Sequence, residues 1–454
     1  MKKPIAIDLF CGAGGMSEGI LQAGFHIVFS SDINEDVEKT YTNRHKQLGL
    51  VEGENTCFRR ADIRELTYQE IINSIQQLNI FKGIEVPEID AIFGGPPCQG
   101  FSRAGKRQKD DPRNMLFKEY LRIIKDIQPK YVVMENVEGF MDSKLDGFIG
   151  VLGREYPDDS LLPEILQSEF TEIGYHTLQP QILDASNFGV PQRRRRAIFI
   201  AYLDGQAVPE YPEPTTPLPQ DRVNVAEAIS DLIIDPKIRE QHFTSYSDYQ
   251  LETIKGRTPT SSGKYLHSNG QVLNHELSNH TSIIQERFSL FREGETSNML
   301  KKRIRENGIN LISYPYLLEE VASKLNKEFT LGELVDLFQN VPLDTTLVEA
   351  LMTKKNNRYR FRKDTTSPTV VTLPDDYLTP YEDRIPTVRE MARLQSFDDS
   401  FEFLGKRTTG GPRRKVEVPQ YTQVGNAVPP LLAKAIALSI KSAINTNREV
   451  HLIG

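Results

Sequence analysis

Over roughly its first 203 residues the chain alternates short apolar runs with helix-like stretches, and this pattern limits the available folds more than any other feature. The runs fall at residues 5–9, 26–30, 89–93, 131–134 and 197–201, with helical stretches at 16–23, 35–41, 70–78 and 116–127 between them. Strands that alternate with helices predict parallel β-α-β units. Nearly every run ends in Gly, Asp or Asn, residue types suited to functional turns.

Beyond residue 203 the texture changes. Pro209, Pro212, Pro214, Pro217 and Pro219 mark a linker or an extended crossing. A short helix at 223–232 is expected to return to the first domain. Residues 237–419 are polar, basic and less regular, and read as a second domain. The tail closes in an amphipathic helix at 431–444. The expected organisation is therefore 1–236 plus 420–454 in one domain and 237–419 in another, in line with the two or three domains that 454 residues suggest.

No apolar run approaches the roughly 20 residues of a membrane helix, and the start has no signal core, so an intracellular, cytoplasmic protein is expected. Three cysteines, Cys11, Cys57 and Cys98, are too scattered for a disulfide framework or a zinc site, and no metal is expected. The net charge of −7 argues mildly against a nucleic-acid partner. Local clusters argue the other way: Arg193 to Arg196, then Lys354 to Lys363 interleaved with Tyr359 and Phe361, then Lys406 to Lys415. One such cluster reads as a solvated face, whereas three in an acidic chain favour a polyanion.

Two loops carry candidate chemistry. Asp8-Leu9-Phe10-Cys11-Gly12-Ala13-Gly14-Gly15 follows the first strand, with glycines that let a ligand approach the backbone. A dinucleotide fingerprint would need a third glycine at Ser17, which disfavours a nicotinamide oxidoreductase. Asp32 and Asp62 close the next two strands, where a carboxylate serves equally as a cofactor ligand, a helix cap or a surface charge. The second loop, Gly94-Gly95-Pro96-Pro97-Cys98-Gln99-Gly100-Phe101-Ser102, is short and stiff and sits where an open α/β sheet places its chemistry. Its polar, rigid surroundings speak against a buried structural role for Cys98.

Gly-Pro-Pro-Cys-Gln-Gly-Phe-Ser resembles the nucleophile loop of DNA (cytosine-5) methyltransferases. The resemblance extends along the chain through Asp8 to Gly15, Glu135-Asn136-Val137, Gln192 to Arg196, Arg389 to Gln395 and Gln423 to Pro430, six motifs in the family's order. One departure is Asp398, where the family usually has proline in a position that supports the small domain's core. The resemblance implies a Rossmann-like, S-adenosylmethionine-dependent α/β sheet with a smaller target-recognition domain. It implies Cys98 as nucleophile on carbon 6 of cytosine, Glu135 at ring nitrogen 3 and the 4-amino group, Arg196 on the base carbonyl and Arg194 beside it on base or phosphate. A strand period of two turns Arg193 and Arg195 the other way.

The implied cofactor set is Phe10, Gly12, Gly14, Asp32, Ile33, Asp62, Ile63, Pro96, Leu116, Asn426 and Ala427. Gln99 and Ser102, on a loop that closes over a flipped base, and Arg358, Arg360 and Arg362, in a recognition region at 285–370, are the expected DNA contacts. The expected partner is double-stranded DNA, met as a monomer, with a cognate restriction endonuclease encoded nearby but not bound. Motifs that begin near residue 4 fit a bacterial restriction-modification enzyme or a solitary bacterial enzyme better than a eukaryotic maintenance enzyme. A transfer-RNA methyltransferase is disfavoured by the long segment 237–388. A catalytically silent DNA-binding protein is disfavoured by the intact Cys98, Glu135 and Arg196.

Overall fold

The computed structural model describes residues 3–97, 115–268, 270–325, 329–353, 355 and 357–453. The first half builds β1 (Ile5–Leu9), α1 (Gly15–Gln22), β2 (His26–Asp32), α2 (Glu35–Gln47), β3 (Cys57–Arg60), α3 (Tyr68–Gln76), β4 (Ala91–Gly94), α4 (Leu116–Ile127) and β5 (Tyr131–Val137). A minimal hairpin, β6 (Lys144–Leu145) with β7 (Ser160–Leu161), precedes α5 (Leu162–Glu172). Then come β8 (Tyr175–Thr177), β9 (Gln181–Asp184) and β10 (Arg195–Leu203). The expected strands and helices of this half are all present, several longer than the apolar run that announced them.

Among the described residues these strands form an eight-stranded sheet in the order β3-β2-β1-β4-β5-β10-β8, with β9 also on β10. The strands β1 to β5 run parallel, and β10 returns antiparallel to β5. Every residue of β1 and β4 is buried, as expected of central parallel strands covered on both faces. The chain moves outward from β1 to β3, then crosses back to β4. Open α/β sheets bind ligands at such a switch point, beyond the strands' carboxyl ends. The register puts Leu9, Gly94 and Met134 in one row, so the next residues, Phe10, Gly95 and Glu135, emerge side by side.

The carboxyl-terminal helix, Pro430–Ile453, packs on α1. Gly15 and Gly19, one turn apart, make the close approach possible. A Cβ on Gly15 would stand 2.4 Å from the Val428 carbonyl oxygen, and one on Gly19 would stand 2.4 Å from the Lys434 nitrogen. This contact carries Asn426 and Ala427 to the switch point.

Helix Val225–Ile229 packs beside the sheet's first loop and the carboxyl-terminal segment as well as beside residues 388–403. Val225, Ala228, Ile229 and Leu232 form one helical face, and it is buried against Val388, Met391 and Phe397, in a core that Ala13, Tyr421 and Val424 also enter. One expectation is corrected here: residues 282–351 are more regular than expected. They form helices Ser282–Ser289, Ser297–Asn307, Pro315–Lys324, Leu331–Leu337 and Thr345–Leu351 around Leu300, Ile304, Leu317, Val321, Leu334 and Phe338. Each is at most three turns long, too short for its apolar period to stand out in sequence.

Asp398, at the position where the family usually has proline, forms a buried ion pair with a distant part of the chain. It is fully buried and lies 3.5 Å from Arg44 of α2, whose guanidinium also holds Glu18 of α1 at 2.9 Å. The other Asp398 oxygen accepts from the Arg257 backbone N–H. The chain thus has a charge link from α1 and α2 to residues 257 and 398.

Candidate active site

The loop after β1 turns through three left-handed residues, Phe10 (φ 56°), Gly12 (φ 54°) and Gly14 (φ 101°). Phe10 has a Cβ and bears the strain of that conformation, a feature that clusters at functional sites. The turn lets the Gly12 N–H donate to Asp32 Oδ2 at 3.1 Å, while Asn34 N–H donates to Oδ1 at 3.0 Å. Burial pushes the Asp32 carboxyl above its usual range, and these backbone donors only partly offset it. Each Asp32 oxygen keeps a second lone pair for a hydroxyl donor. Gly14 does not line the cavity. It serves the turn, and a Cβ there would meet the Tyr41 ring at 3.2 Å.

Asp8 lies beneath this loop, accepting from Ser17 through one oxygen. Its Oδ1 is buried with no partner among the described residues. Burial foremost, with Asp32 adding to it against the Ser17 hydrogen bond, pushes the Asp8 carboxyl up to about 7. A carboxyl that binds its proton more tightly when folded stabilises the fold fully below pH ~4, and that contribution is lost as pH rises through about 7. The stability of the parent relative to Asp8→Asn should therefore fall between pH 4 and 8, by about 4 kcal/mol for the full shift. Denaturant midpoints across that range give the comparison, and parallel profiles would refute it.

Cys11 and Cys57 are buried, and burial drives both thiols up, Cys57 to about 12. Neither is suited to attack as a thiolate. Cys98, expected as the nucleophile, lies with Gln99 and Ser102 outside the described residues. The loop leading to it is described. Gly95, Pro96 and Pro97 line the cavity, and Asn136 Nδ2 donates to the Pro96 carbonyl at 3.1 Å, tying this loop to β5. A Cβ on Gly95 would lie 3.2 Å from Glu135 Oε2.

On the antiparallel pair β5–β10, Ile198 sits opposite Glu135 and Arg196 opposite Val137. Arg196 Nε reaches Glu135 Oε1 at 2.7 Å, with both side chains about one-eighth exposed. Arg196 thus fixes one oxygen and leaves Oε2 on the side of Gly95. The alternation expected for the arginine run is present: Arg193 and Arg195 are exposed, the latter 3.3 Å from Glu138.

Arg194 departs from expectation. Its buried guanidinium donates to the carbonyls of Val370 (3.2 Å) and Gly425 (3.0 Å). It lines the cavity, and its Nε is buried without a partner among the described residues while the other two nitrogens hold these carbonyls. Burial, with Arg196 nearby, pushes its pKa well down.

These parts enclose one cavity of about 1270 Å³, larger than the roughly 300–1,000 Å³ of a single small-molecule site. It brings together Phe10, Gly12, Asp32, Ile33, Asp62, Ile63, Pro96, Leu116, Glu135, Arg194, Arg196, Asn426 and Ala427. Ile33 is 64% exposed into it, an apolar side chain without a cover. Asp62 is clamped by Arg64, whose hydrogen bonds hold its carboxyl below the usual range. Among the described residues no group of three or more His, Cys, Asp or Glu is arranged for a metal ion.

Sequence reasoning missed several contributors. Asn34, Arg64, Val416, Val418 and Gln423 also line the cavity. Gln192 is buried and links distant motifs, donating to the Leu394 carbonyl and accepting from Val370 N–H. It also touches Gln395, which donates to Val424 and Ala427. The signal was present, since both glutamines stand inside the quoted motifs.

Two expected DNA contacts are corrected. Arg358 is buried, with its guanidinium 4.8 Å above the Phe288 ring and Nε on the Asp375 carbonyl. Arg360 is buried and bonded to Asp383 and the Phe288 carbonyl. Arg362 is half-exposed and pairs with Asp364 at 2.7 Å.

The model of the family described as C-5 cytosine-specific DNA methylase matches residues 5–442. The type II methyltransferase M1.HphI of Haemophilus parahaemolyticus is 30% identical over 445 residues, covering 97% of this chain and 87% of that one. The type II methyltransferase M.DdeI of Desulfomicrobium norvegicum is 28% identical over 438 residues, covering 95% and 87%. A solved structure from a prophage of E. coli, named for a DNA modification methyltransferase, superposes with a TM-score of 0.61 at 22% identity, covering 98% of this chain and 100% of that one. That likeness shows the fold, a mixed α/β architecture on a largely parallel sheet. With the family match spanning nearly its whole length, the chain belongs to the C-5 cytosine-specific DNA methylases and is a DNA cytosine-5 methyltransferase.

Proposed function

We propose that the chain methylates carbon 5 of a cytosine flipped out of one specific duplex sequence, using S-adenosylmethionine as donor and Cys98 as a transient covalent nucleophile. The observation that carries this reading is the single cavity onto which the aligned ends of β1, β4 and β5 open. Its volume has room for a nucleoside cofactor and a base together. S-Adenosylmethionine, when bound, supplies an electrophilic methyl group. Asp32 accepts from ribose hydroxyls, Ile33 covers an adenine face, Asp62 takes the adenine amino group, and Gly12 and Asn426 hold the methionine end.

Cytosine carbon 5 is a weak nucleophile within its aromatic ring. The Cys98 thiolate adds to carbon 6, and Glu135, carrying a proton, donates it toward ring nitrogen 3 as negative charge builds there. Carbon 5, now enamine-like, can take the methyl group, whose bond to the sulfonium sulfur would break to leave S-adenosylhomocysteine. A water removes the carbon 5 proton, the carbon 5–carbon 6 double bond re-forms, Cys98 leaves as thiolate, and ring nitrogen 3 returns its proton to Glu135. Flipping exposes the base at a cost of a few kcal/mol.

The similarity to type II methyltransferases supports a role as the modification enzyme of a restriction-modification system. Incubation with unmethylated DNA and cofactor, followed by deamination sequencing, should show 5-methylcytosine at one defined duplex sequence. Methylation confined to transfer RNA, or scattered without sequence preference, would overturn the reading. Arg196→Ala should lower kcat by about 100-fold in single-turnover assays while leaving cofactor affinity unchanged, because Glu135 loses the partner that orients it. An unchanged kcat would remove Arg196 from the mechanism.

A further inference from the structure

Two large apolar side chains stand exposed on the same cavity, Ile33 (64%) and Val416 (75%). Ile33 has an assigned partner in the reading above, and Val416 has none. It belongs to residues 405–418, between the motif ending at Gln395 and the one beginning at Gln423, a stretch that no motif covers.

The Val416 backbone is fastened beside Ile33. Asn34, the residue after Ile33, donates Nδ2 to the Val416 carbonyl at 3.0 Å. Two residues further on each strand of this contact, Val418 N–H donates to Asp36 Oδ2 at 3.0 Å. The segment is also closed on itself, with Val416 and Glu417 N–H on the Arg413 carbonyl and Glu417 3.1 Å from Lys406. Backbone and turn are thus committed, while the valine side chain is free. We infer that Val416 is a second apolar jaw which, with Ile33, holds the adenine of the cofactor.

The position decides between the two rings that share this cavity. Asp32, Ile33 and Asp62 follow β2 and β3, whereas Glu135 and Arg196 belong to β5 and β10. From β2 to β5 is three steps across the sheet, about 14 Å at the usual strand spacing. Val416, tied to Asn34 and Asp36, lies at the cofactor end and away from the base. A valine reads no ring edge, so it adds affinity rather than base identity and slows product departure.

This inference rests on the proposed cofactor reading, and the test separates the two. Calorimetric titration of the full chain with S-adenosylhomocysteine, the unreactive product, compares the parent with Val416→Asp, Val416→Leu and Ile33→Asp. Val416→Asp should weaken binding about tenfold, with Val416→Leu within twofold of the parent and duplex DNA affinity unchanged. Parent-like binding by Val416→Asp alongside weakened binding by Ile33→Asp would overturn the second jaw and leave the cofactor site standing. Parent-like binding by both aspartate variants would overturn both. Weakened binding by Val416→Leu as well as Val416→Asp, with unfolding midpoints unchanged, would mean that shape rather than apolar cover matters, which also refutes the proposal.

Discussion

Cys98→Ala should lose methyl transfer by at least about a thousandfold while binding S-adenosylhomocysteine as tightly as the parent. The loss is large because nothing else in the chain replaces the thiolate. Cys11 lines the cavity but is buried, and burial with Asp8 and Asp32 nearby drives its thiol far above neutrality. Cys57 is pushed up to about 12 and does not line the cavity. A duplex with 5-fluorocytosine at the target sharpens the test, since fluorine does not leave as a proton does. The parent should stay joined to that duplex on a denaturing gel, and Cys98→Ala should not. A Cys98→Ala protein that methylates as fast as the parent would end the covalent mechanism. Retained turnover with a lost adduct would do the same, by showing the adduct to be off the reaction path.

Local signals were read correctly from the sequence. Residues 116–127 form the expected helix and 5–9 the expected strand, and Asp32 closes the second strand as expected. In each case the information lies within a few residues of the feature. The arginines show where such reading stops. Arg194, Arg358 and Arg360 carry a charge that invites a phosphate or base, and all three direct it to backbone carbonyls, with an exposed carboxylate, Asp383, added for Arg360. Their partners lie 17 to 231 residues away, or are supplied by helices whose apolar faces are too short to announce themselves. The interleaved Tyr359 and Phe361 give a second warning in retrospect. Phe361 is fully buried, so this stretch is a strand edge of a core rather than a basic surface.

The same physics gives the largest expected change in stability. Arg393→Met should destabilise the chain by about 3–5 kcal/mol, whereas Arg362→Met should cost at most about 1 kcal/mol. Arg393 is 1% exposed and holds Asp399 through two hydrogen bonds, at 2.9 and 2.7 Å, with Asp231 and the Ala228 carbonyl on its other nitrogen. Removing it strips the buried Asp231 of its ion-pair partner and leaves the buried Asp399 only the more distant Arg389, at 3.9 Å. Arg362 pairs with Asp364 in solvent, where screening and side-chain entropy cancel most of the attraction. The Arg393 cluster joins helix Val225–Ile229 to helix Val388–Leu394. Two residues beyond, Gln395 reaches Val424 and Ala427 at the cavity wall. Loss of Arg393 should therefore weaken S-adenosylhomocysteine binding too, although its side chain does not line the cavity. Urea midpoints of the two variants decide the matter: equal destabilisation would show that the buried cluster contributes no more than a surface pair.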